Sequence, residues 1–214
     1  MTNAYDKVYL EKARTNLGRM LDFVVYDLKY DISDFFELFI TSGVANRFGN
    51  GDFNVLVGMS GVELAYEVLE KLNISFKRVT PNYTVNRSEE YWTGWALAYY
   101  QWETSLNFEE IVRCIPIKEI QALYSPYHEM DIKQFVDKMN SLYKLAKPET
   151  NLKFLRQKAG LSQRELSELS GVPVRTIQQY EQRQKSVNKA QAEYLMALAK
   201  VLCCEMKDLM EYIE

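Results

Sequence analysis

The sequence predicts an all-α fold made of two helical domains, a larger acidic one over residues 1–147 and a smaller one over residues 150–214. Apolar residues recur at steps of three and four positions along most of the chain, which is the spacing of one buried helix face. Residues that begin or end helices stand between these periodic segments. We place the linker at residues 147–150, because Pro148 restricts the residue before it to extended backbone.

The composition provides enough apolar residues for a core in each domain. The chain has 214 residues, of which 47% are apolar, and domains usually contain about 100–200 residues. The longest apolar stretches, residues 35–40 and 95–100, fall far short of the about 20 residues that a membrane helix needs. The first residues lack the basic and then apolar pattern of a secretory signal. We therefore expect a soluble, cytoplasmic protein with no membrane partner.

The cysteines and the single histidine do not predict a metal site. Cys203 and Cys204 are adjacent and Cys114 is distant, so their spacing fits neither a disulfide framework nor a zinc site. The chain has one histidine, His128. We expect no metal ion, no cofactor and three reduced thiols, with Cys203 or Cys204 packed inside a helix.

Charge is distributed unevenly along the chain. Residues 1–149 carry 16 Lys and Arg against 21 Asp and Glu, residues 150–190 carry 8 against 3, and residues 191–214 carry 2 against 5. A short basic window inside an acidic protein is typical of a local phosphate-binding surface. A solvated lysine-rich face would give a similar count, so charge alone does not decide between these alternatives.

Helical periodicity dominates the N-terminal domain. The buried face of its first helix is predicted to consist of Leu10, Ala13, Leu17, Met20, Leu21, Val24 and Leu28. A second helix is predicted over Ile32–Thr41, entered through Asp31 or Ser33 and stopped by Gly43. Further helices are predicted over residues 108–114, 117–124 and 132–147.

Two other N-terminal segments have recognisable boundaries. Ser60 and Glu63 have the spacing of a capping box, in which each side chain accepts a hydrogen bond from the other residue's backbone N–H. Ser88 is predicted to open another helix. Between these helices, residues 74–87 are rich in β-branched side chains and predict an irregular crossing with room for a short strand.

The helix after Ser88 carries six aromatic residues, Tyr91, Trp92, Trp95, Tyr99, Tyr100 and Trp102. Such side chains line ligand pockets and interfaces in many proteins, but we expect the more common role of packing in the core. One neighbouring helix can cover only part of this aromatic ring, which leaves an interface as the alternative.

Two segments match catalytic motifs only in part. Gly58-Met59-Ser60-Gly61 begins like a nucleophile elbow, but Val62 stands where that motif has its second glycine. A helix cap explains Ser60 better. His128 lies in a polar cluster with Glu129, where a lone histidine more often caps a turn than abstracts a proton. We expect no catalytic residues and no enzyme activity.

Residues 151–214 predict short helices around one small core. Leu152 and Leu155 mark the first helix, which ends at Gly160. Ser162 and Glu165 have the spacing of another capping box, at the start of the second helix.

The second and third of these helices are joined by a sharp turn at Gly171. Leu166 and Leu169 of the second helix, with Ile177 and Tyr180 of the third, are expected to face the core. The remaining core positions are predicted to be Leu195, Leu198 and Leu202 of a fourth helix that starts near Lys189, and Leu209 of a fifth short turn. Two helices joined by a tight glycine turn, with short helices on either side, make a helix-turn-helix.

The segment from Leu161 to Ile177, LSQRELSELSGVPVRTI, resembles the phage-repressor and Cro family of regulators. The resemblance extends over about 65 residues and all five expected helices. It implies a five-helix, lambda-repressor-like DNA-binding domain. Members of that family usually have Ser or Thr at the start of the third helix, where this chain has Pro173. Proline suits a first helical turn but supplies no side-chain cap.

The resemblance implies how such a domain would read DNA. The third helix of such a domain, which is the second helix of its helix-turn-helix, fits the major groove, and its N-terminal residues meet base edges. The residues that the resemblance places at base-reading positions are Val174, Arg175, Thr176 and Gln179. Arg175 can bind guanine and Gln179 adenine, while Val174 or Thr176 can contact the methyl group of thymine.

Four further residues are predicted to contact phosphates. The resemblance places Gln163 against the DNA backbone, at a helix N-terminus that favours an anion. Gln178, on the outer face of the third helix, and Arg183 and Lys185, which follow that helix, are the others. The alternative is a helical protein-interaction module with a merely solvated polar face, which does not account for this combination of outward arginine, threonine and glutamines.

Three segments of the N-terminal domain, residues 59–65, 91–102 and 127–131, resemble an uncharacterised family of proteins from Clostridia-type bacteria. Members of that family tend to be encoded beside small toxin-like proteins. The resemblance implies an antitoxin that binds a toxin through its acidic domain and DNA through its C-terminal domain. The spacing of the residues does not imply this by itself.

The sequence therefore predicts a sequence-specific transcriptional regulator, a repressor, that binds double-stranded DNA. The alternative is the antitoxin of a toxin–antitoxin pair, which would regulate its own gene through the helix-turn-helix. We expect a homodimer, because two half-sites about one helical turn apart multiply specificity. The N-terminal domain is expected to dimerise, to sense a small-molecule effector or to hold a protein partner such as a toxin.

Overall fold

The computed structural model describes residues 3–82, 87–146 and 149–211. Within these ranges the chain forms fourteen helices and three short 3₁₀ turns, and it forms no β-strand. The predicted all-α fold is confirmed. The chain divides into two compact units, Met1–Ala146 and Lys147–Glu214. None of the helices in the described ranges has both the length and the apolar composition to cross a membrane.

Parts of two predicted segments cannot be compared with the structure. Residues 83–86 of the predicted irregular crossing, and Lys147 and Pro148 of the predicted linker, lie outside the described residues. The described part of the crossing, residues 74–82 and 87, contains no strand. Thr150, at the other end of the predicted linker, is buried, and its Oγ1 accepts the N–H of Lys153 at 3.3 Å. Thr150 therefore belongs to the C-terminal unit as a helix cap.

In its described residues, the N-terminal unit contains ten helices, preceded by a 3₁₀ turn at Lys7–Tyr9. They are α1 (Leu10–Tyr26), α2 (Ile32–Thr41), α3 (Val44–Gly49), α4 (Phe53–Leu56), α5 (Gly61–Lys71), α6 (Glu89–Thr104), α7 (Phe108–Cys114), α8 (Ile117–Ala122), α9 (Tyr124–Tyr127) and α10 (Ile132–Ala146). The predictions for α2 and α7 agree residue for residue. The helix predicted over residues 117–124 ends earlier, at Ala122, and a separate short turn of helix follows it.

Side-chain caps set several of these boundaries. Asp31 caps α2 by accepting the N–H of Ser33 at 2.9 Å. At the start of α5, the N–H of Glu63 donates to the Ser60 hydroxyl at 3.3 Å, and the N–H of Ser60 donates to the Glu63 carboxylate at 2.7 Å. The predicted capping box is confirmed, and the hydrogen bonds from Ser60 lower the pKa of Glu63. Ser88 caps α6 as predicted.

Helix α1 lies at the centre of the N-terminal unit and packs closely against α5 and α6. A Cβ atom on Gly94 of α6 would lie 2.5 Å from the carbonyl oxygen of Leu17, and one on Gly18 of α1 would lie 2.7 Å from the carbonyl oxygen of Tyr91. Gly61 at the start of α5 is equally tight against α1. Only glycine allows helix backbones to approach this closely.

The face predicted for α1 is buried, with one exception. Leu28 is half-buried, because α1 ends at Tyr26 and Leu28 lies in the following turn rather than on the helix face.

The aromatic residues of α6 pack in the core, as we expected. Trp92, Tyr99, Tyr100 and Trp102 are buried, whereas Tyr91 and Trp95 are half-buried. Helices α1, α8, α9 and α10 all pack against α6, so more of its circumference is covered than a single neighbouring helix could cover.

Over residues 149–211, the C-terminal unit is built from four helices and two 3₁₀ turns around one core. The helices are α11 (Asn151–Lys158), α12 (Gln163–Ser170), α13 (Val174–Glu181) and α14 (Ala192–Leu202), and the turns are Val187–Lys189 and Met206–Leu209. The buried residues of this core are Leu152, Leu166, Val172, Ile177, Tyr180, Val187, Leu198, Ala199, Leu202 and Leu209.

The prediction that Leu169 is buried is wrong, since its side chain is 62% exposed. The residues of α12 that turn inward are Gln163, Leu166, Ser167 and Ser170. At 100° per residue, Leu169 lies well outside the arc that these four positions define. The serines turn inward because their hydroxyls bond nearby carbonyl oxygens, Ser167 to Val172 and Ser170 to Leu166, both at 2.6 Å.

The fourth helix of this unit, α14, also begins later than predicted. Residues Val187–Lys189 form a separate 3₁₀ turn and Ala190 is extended, so the helix starts at Ala192 rather than near Lys189. Leu195, predicted to be buried, is half-buried and packs at the edge of the core.

All three cysteines are free thiols. Cys203 is exposed and lies just beyond α14 in the left-handed conformation, so it is not packed inside a helix. Cys204 packs against the core of the C-terminal unit, and burial raises the pKa of its thiol to about 11.

The substitution Gly94→Ala tests the backbone contact between α1 and α6. Its Cβ atom meets a backbone carbonyl that cannot move without shifting α1. Gly49→Ala is the control, because the nearest atoms to a Cβ atom there belong to side chains, the Gln101 amide at 3.3 Å and the Phe108 ring at 3.9 Å, and not to a helix backbone. We expect Gly94→Ala to lower the free energy of unfolding by about 1–3 kcal/mol more than Gly49→Ala does.

Urea unfolding followed by tryptophan fluorescence measures this difference in the N-terminal unit alone, because all three tryptophans lie in α6. Equal effects of the two substitutions would contradict the close approach of α1 and α6.

Candidate nucleic-acid interface

The turn between α12 and α13 is fixed by local hydrogen bonds. Gly171 adopts a left-handed conformation with φ of 72°, and its N–H donates to the carbonyl oxygen of Ser167 at 2.9 Å. The Ser170 hydroxyl accepts the N–H of Val172 at 3.2 Å. Pro173 then supplies the fixed φ at which α13 starts, without a side-chain cap. The two helices of the predicted motif are thus held at a defined angle.

Helix α13 has an inner and an outer face. Ile177 and Tyr180 are buried in the core, as predicted. The structure places the four predicted base-reading residues on the other sides of the same helix: Val174 and Arg175 are exposed, and Thr176 and Gln179 are half-buried. Val174 and Arg175 occupy the first turn, where a helix that enters a groove end-on meets base edges.

A buried ion pair attaches α13 to α11. Arg156 donates from Nε to Oε1 of Glu181 at 2.6 Å and from Nη2 to Oε2 at 3.0 Å, so the contact is bidentate. The two side chains are only 10% and 2% exposed. A third bond, from Nη1 of Arg156 to the carbonyl oxygen of Leu161 at 2.7 Å, holds the loop before α12. The hydrogen bonds to Glu181 raise the pKa of Arg156.

The same carboxylate reaches the N-terminus of α12. The Gln163 amide donates from Nε2 to Oε2 of Glu181 at 2.7 Å, and its Oε1 lies 3.4 Å from Nε2 of Gln178. Gln163, a predicted phosphate contact, is therefore half-buried and held in one orientation. Gln178, another predicted contact, is exposed beside it.

The capping box predicted for α12 is confirmed. The N–H of Glu165 donates to the Ser162 hydroxyl at 3.2 Å, and the N–H of Ser162 donates to the Glu165 carboxylate at 2.8 Å. These bonds lower the pKa of Glu165. Since each helix N-terminus has N–H groups without an intrahelical partner, Gln163 stands at a position that attracts an anion.

The basic residues of the window 150–190 differ in their availability. Arg156 is buried, and Arg164 pairs with Glu168 at 2.9 Å on the surface. Arg183 lies 3.0 Å from Glu211, an ion pair that the sequence did not reveal. The cations that are exposed and have no ion-pair partner among the described residues are Arg175, Lys185 and Lys189.

Sequence reasoning did not identify Arg156 and Glu181 as residues that position the interface. A signal was present, because Glu181 lies four residues after the buried Ile177 and therefore on the same helix face. A carboxylate buried there needs a cationic or hydrogen-bonding partner. Its identity, Arg156, depends on how α11 packs.

The two segments that match catalytic motifs in part have structural roles. Ser60 caps α5, as described above. His128 stacks on Tyr124 with ring centroids 4.2 Å apart, and its Nδ1 lies 3.0 Å from the carbonyl oxygen of Tyr124. In the described ranges, no group of three or more His, Cys, Asp or Glu side chains is placed to hold a metal ion.

Comparison with known families agrees with this geometry. A family model described as "Helix-turn-helix" matches residues 152–209, which include α11 except its first residue, α12 to α14 and both 3₁₀ turns of the C-terminal unit. This match confirms the helix-turn-helix prediction. No curated protein and no solved structure matches the chain. The resemblance of the N-terminal unit to a toxin-associated family stays a prediction.

The substitution Glu181→Gln tests the buried ion pair. It removes the charge opposite a buried guanidinium, so we expect the free energy of unfolding of the C-terminal unit to fall by about 3 kcal/mol. Glu168→Gln is the matched control, since it breaks an exposed pair and should cost about 0.5 kcal/mol or less.

Amide hydrogen exchange of the full chain measures both effects at the same time, because it resolves α11 to α14 from the helices of the N-terminal unit. Similar exchange rates in the two variants would show that the buried pair does not hold these helices together.

Proposed function

Because residues 152–209 form a helix-turn-helix domain of the DNA-binding, transcription-regulator type, we propose that this chain binds double-stranded DNA sequence-specifically and reads it with α13. The observation that carries the proposal is the division of that helix. One face is anchored by Ile177, Tyr180 and the buried Glu181, while polar and small side chains face outward from its first turns.

Base recognition falls to four residues in this proposal. Arg175 is exposed, is unpaired among the described residues, and has the fork geometry that binds O6 and N7 of guanine. Gln179, one turn later, can bind adenine in the same bidentate manner. Val174 and Thr176 flank Arg175 and can contact thymine methyl groups.

Phosphate contacts orient the domain on the duplex in this proposal. Gln163 combines a helix N-terminus with a side chain that Glu181 already holds in place, so little side-chain entropy is lost when it binds. Lys185 is exposed in the loop after α13 and can pair with a phosphate directly. Gln178 is exposed beside Gln163 and can contact a phosphate there. Arg183 can contact a phosphate once its ion pair with Glu211 is broken.

The regulator acts as a homodimer and as a repressor in this proposal. Two copies of α13 that read half-sites about one helical turn apart multiply the specificity of a single short helix. A protein bound over such a site excludes other proteins from it. The acidic N-terminal unit is the part of the chain left to dimerise, to bind an effector or to hold a protein partner.

A binding selection tests the proposed function. The full chain is incubated with random duplex DNA at near-physiological salt, and the retained molecules are sequenced. We expect an enriched motif with two-fold symmetry. If no sequence is enriched, the proposal fails, and a protein partner for the acidic unit, as in the antitoxin alternative, becomes the leading hypothesis.

Two substitutions separate base reading from backbone contact. Arg175→Ala should cost about 1–3 kcal/mol at one base position and relax the preference there. Lys185→Ala should weaken binding to every sequence alike and reduce the salt dependence by about one phosphate contact. Repeating the selection and measuring dissociation constants at several salt concentrations checks both. An unchanged motif with Arg175→Ala would mean that another segment reads the bases.

A further inference from the structure

Arg183 is held by a carboxylate of its own chain, although it lies in the loop that follows α13. Its Nη2 atom is 3.0 Å from Oε2 of Glu211. Its backbone is left-handed, with φ of 54°, a conformation that residues other than glycine and asparagine rarely adopt. Lys185, two residues later, is exposed and has no ion-pair partner among the described residues.

Glu211 is held in place by several hydrogen bonds. Its Oε1 accepts the N–H of Asn151, the first residue of α11, at 2.8 Å. Its backbone N–H donates to Oδ1 of Asn188 at 2.8 Å, and the amide nitrogen of Asn188 donates to its carbonyl oxygen. The Asn151 side chain also binds the carbonyl oxygen of Met210, at 2.8 Å. Met210 and Glu211 are therefore fixed from two sides.

The ion pair is stronger than an ordinary surface pair for this reason. Most exposed ion pairs add little to the stability of a protein, because two mobile side chains must be ordered to form them. The Glu211 carboxylate is only 13% exposed and is already ordered, so only Arg183, at 48% exposed, loses freedom.

We propose that Glu211 competes with DNA phosphate for Arg183 and so lowers the affinity of the protein for DNA. A carboxylate offers a guanidinium the same charge-assisted hydrogen bond that a phosphate oxygen offers. A phosphate must therefore displace Glu211 before Arg183 adds to binding. This inference rests on the proposed function, since it concerns the regulation of the same DNA-binding surface.

One consequence is a built-in control of affinity. Any event that lifts Met210 and Glu211 away from Asn151 and Asn188 releases a cation next to the recognition helix. Lys185 and the released Arg183 would then contact the DNA backbone together.

The test is a double-mutant cycle in the full chain, with the variants Glu211→Gln, Arg183→Gln and the combination of both. The amide oxygen that Glu211→Gln introduces can still accept the N–H of Asn151, but the new side chain carries no charge. Dissociation constants are measured on a mixed-sequence duplex of about 20 base pairs at several salt concentrations. Glu193→Gln is the matched control, because it removes the same charge from an exposed carboxylate of the same unit that has no ion-pair partner among the described residues.

We expect Glu211→Gln to bind about fivefold more tightly than the wild type near 0.15 M salt, with a salt slope steeper by about 0.9. Arg183→Gln alone should weaken binding, but by no more than about twofold, because Glu211 already occupies Arg183 in the wild type. The combined variant should match Arg183→Gln. Glu193→Gln should behave like the wild type. The inference is overturned if Glu211→Gln gives no gain, or if the gain survives the loss of Arg183.

Two further variants keep the outcomes distinct. Asn188→Ala frees the backbone of Glu211 and leaves its bond to Asn151 intact. This variant should also tighten DNA binding, so it tests the inference even if Glu211→Gln disturbs α11. Lys185→Ala reports on the proposed function itself. If Lys185→Ala weakens binding while Glu211→Gln and Asn188→Ala do nothing, only this inference fails. If none of the variants changes the affinity for DNA, or if neither the wild type nor any variant binds DNA, the proposed function fails as well.

Discussion

The bidentate contact between Arg156 and Glu181 is the interaction on which the geometry of the helix-turn-helix depends. It joins α11 to α13, and a third bond from Arg156 to Leu161 holds the loop that leads into α12. Through Gln163, the same carboxylate orients the residue that stands at the N-terminus of α12. A helix of only eight residues, such as α13, has little apolar surface with which to fix its own orientation. A buried, fully hydrogen-bonded ion pair fixes the orientation of α13, because its geometry is far more specific than that of an apolar contact.

The basic residues of the window 150–190 therefore fall into two groups, those that pair with carboxylates of the same chain and those that are exposed without such a partner. Arg156 is buried in its ion pair with Glu181. Arg164 pairs with Glu168 on its own helix, and Arg183 pairs with Glu211. The formal charge of the window therefore overstates its freely exposed positive charge, since the cations that are exposed and have no ion-pair partner among the described residues are Arg175, Lys185 and Lys189. In the proposed complex, each phosphate contact adds a fixed increment to the salt dependence of binding, so this division would also affect how steeply affinity falls with salt. The N-terminal unit depends on a different constraint, the glycine contacts that bring α5 and α6 against α1.

Local signals predicted most of the helices correctly, and the reason is that they act within a few residues. Asp31, Ser60, Ser88 and Ser162 cap the helices that they were expected to cap, and Gly171 has the positive φ that the turn requires. Where the predictions failed, a competing local bond decided the outcome. The serine hydroxyls of α12 turn inward and leave Leu169 exposed, and a separate 3₁₀ turn at Val187–Lys189 delays the start of α14.

The sequence by itself determined the helical class, the caps, the helix-turn-helix and the division of α13 into an apolar side and a polar one. Each of these follows from periodicity or from contacts between residues close in the chain. Only the tertiary structure decided which charges are free. Arg156 meets Glu181 across 25 positions and Arg183 meets Glu211 across 28, and such pairs form only after the core has brought distant segments together. Local patterns carry no information about those distances, because the partners of a charged side chain depend on packing rather than on neighbours in sequence.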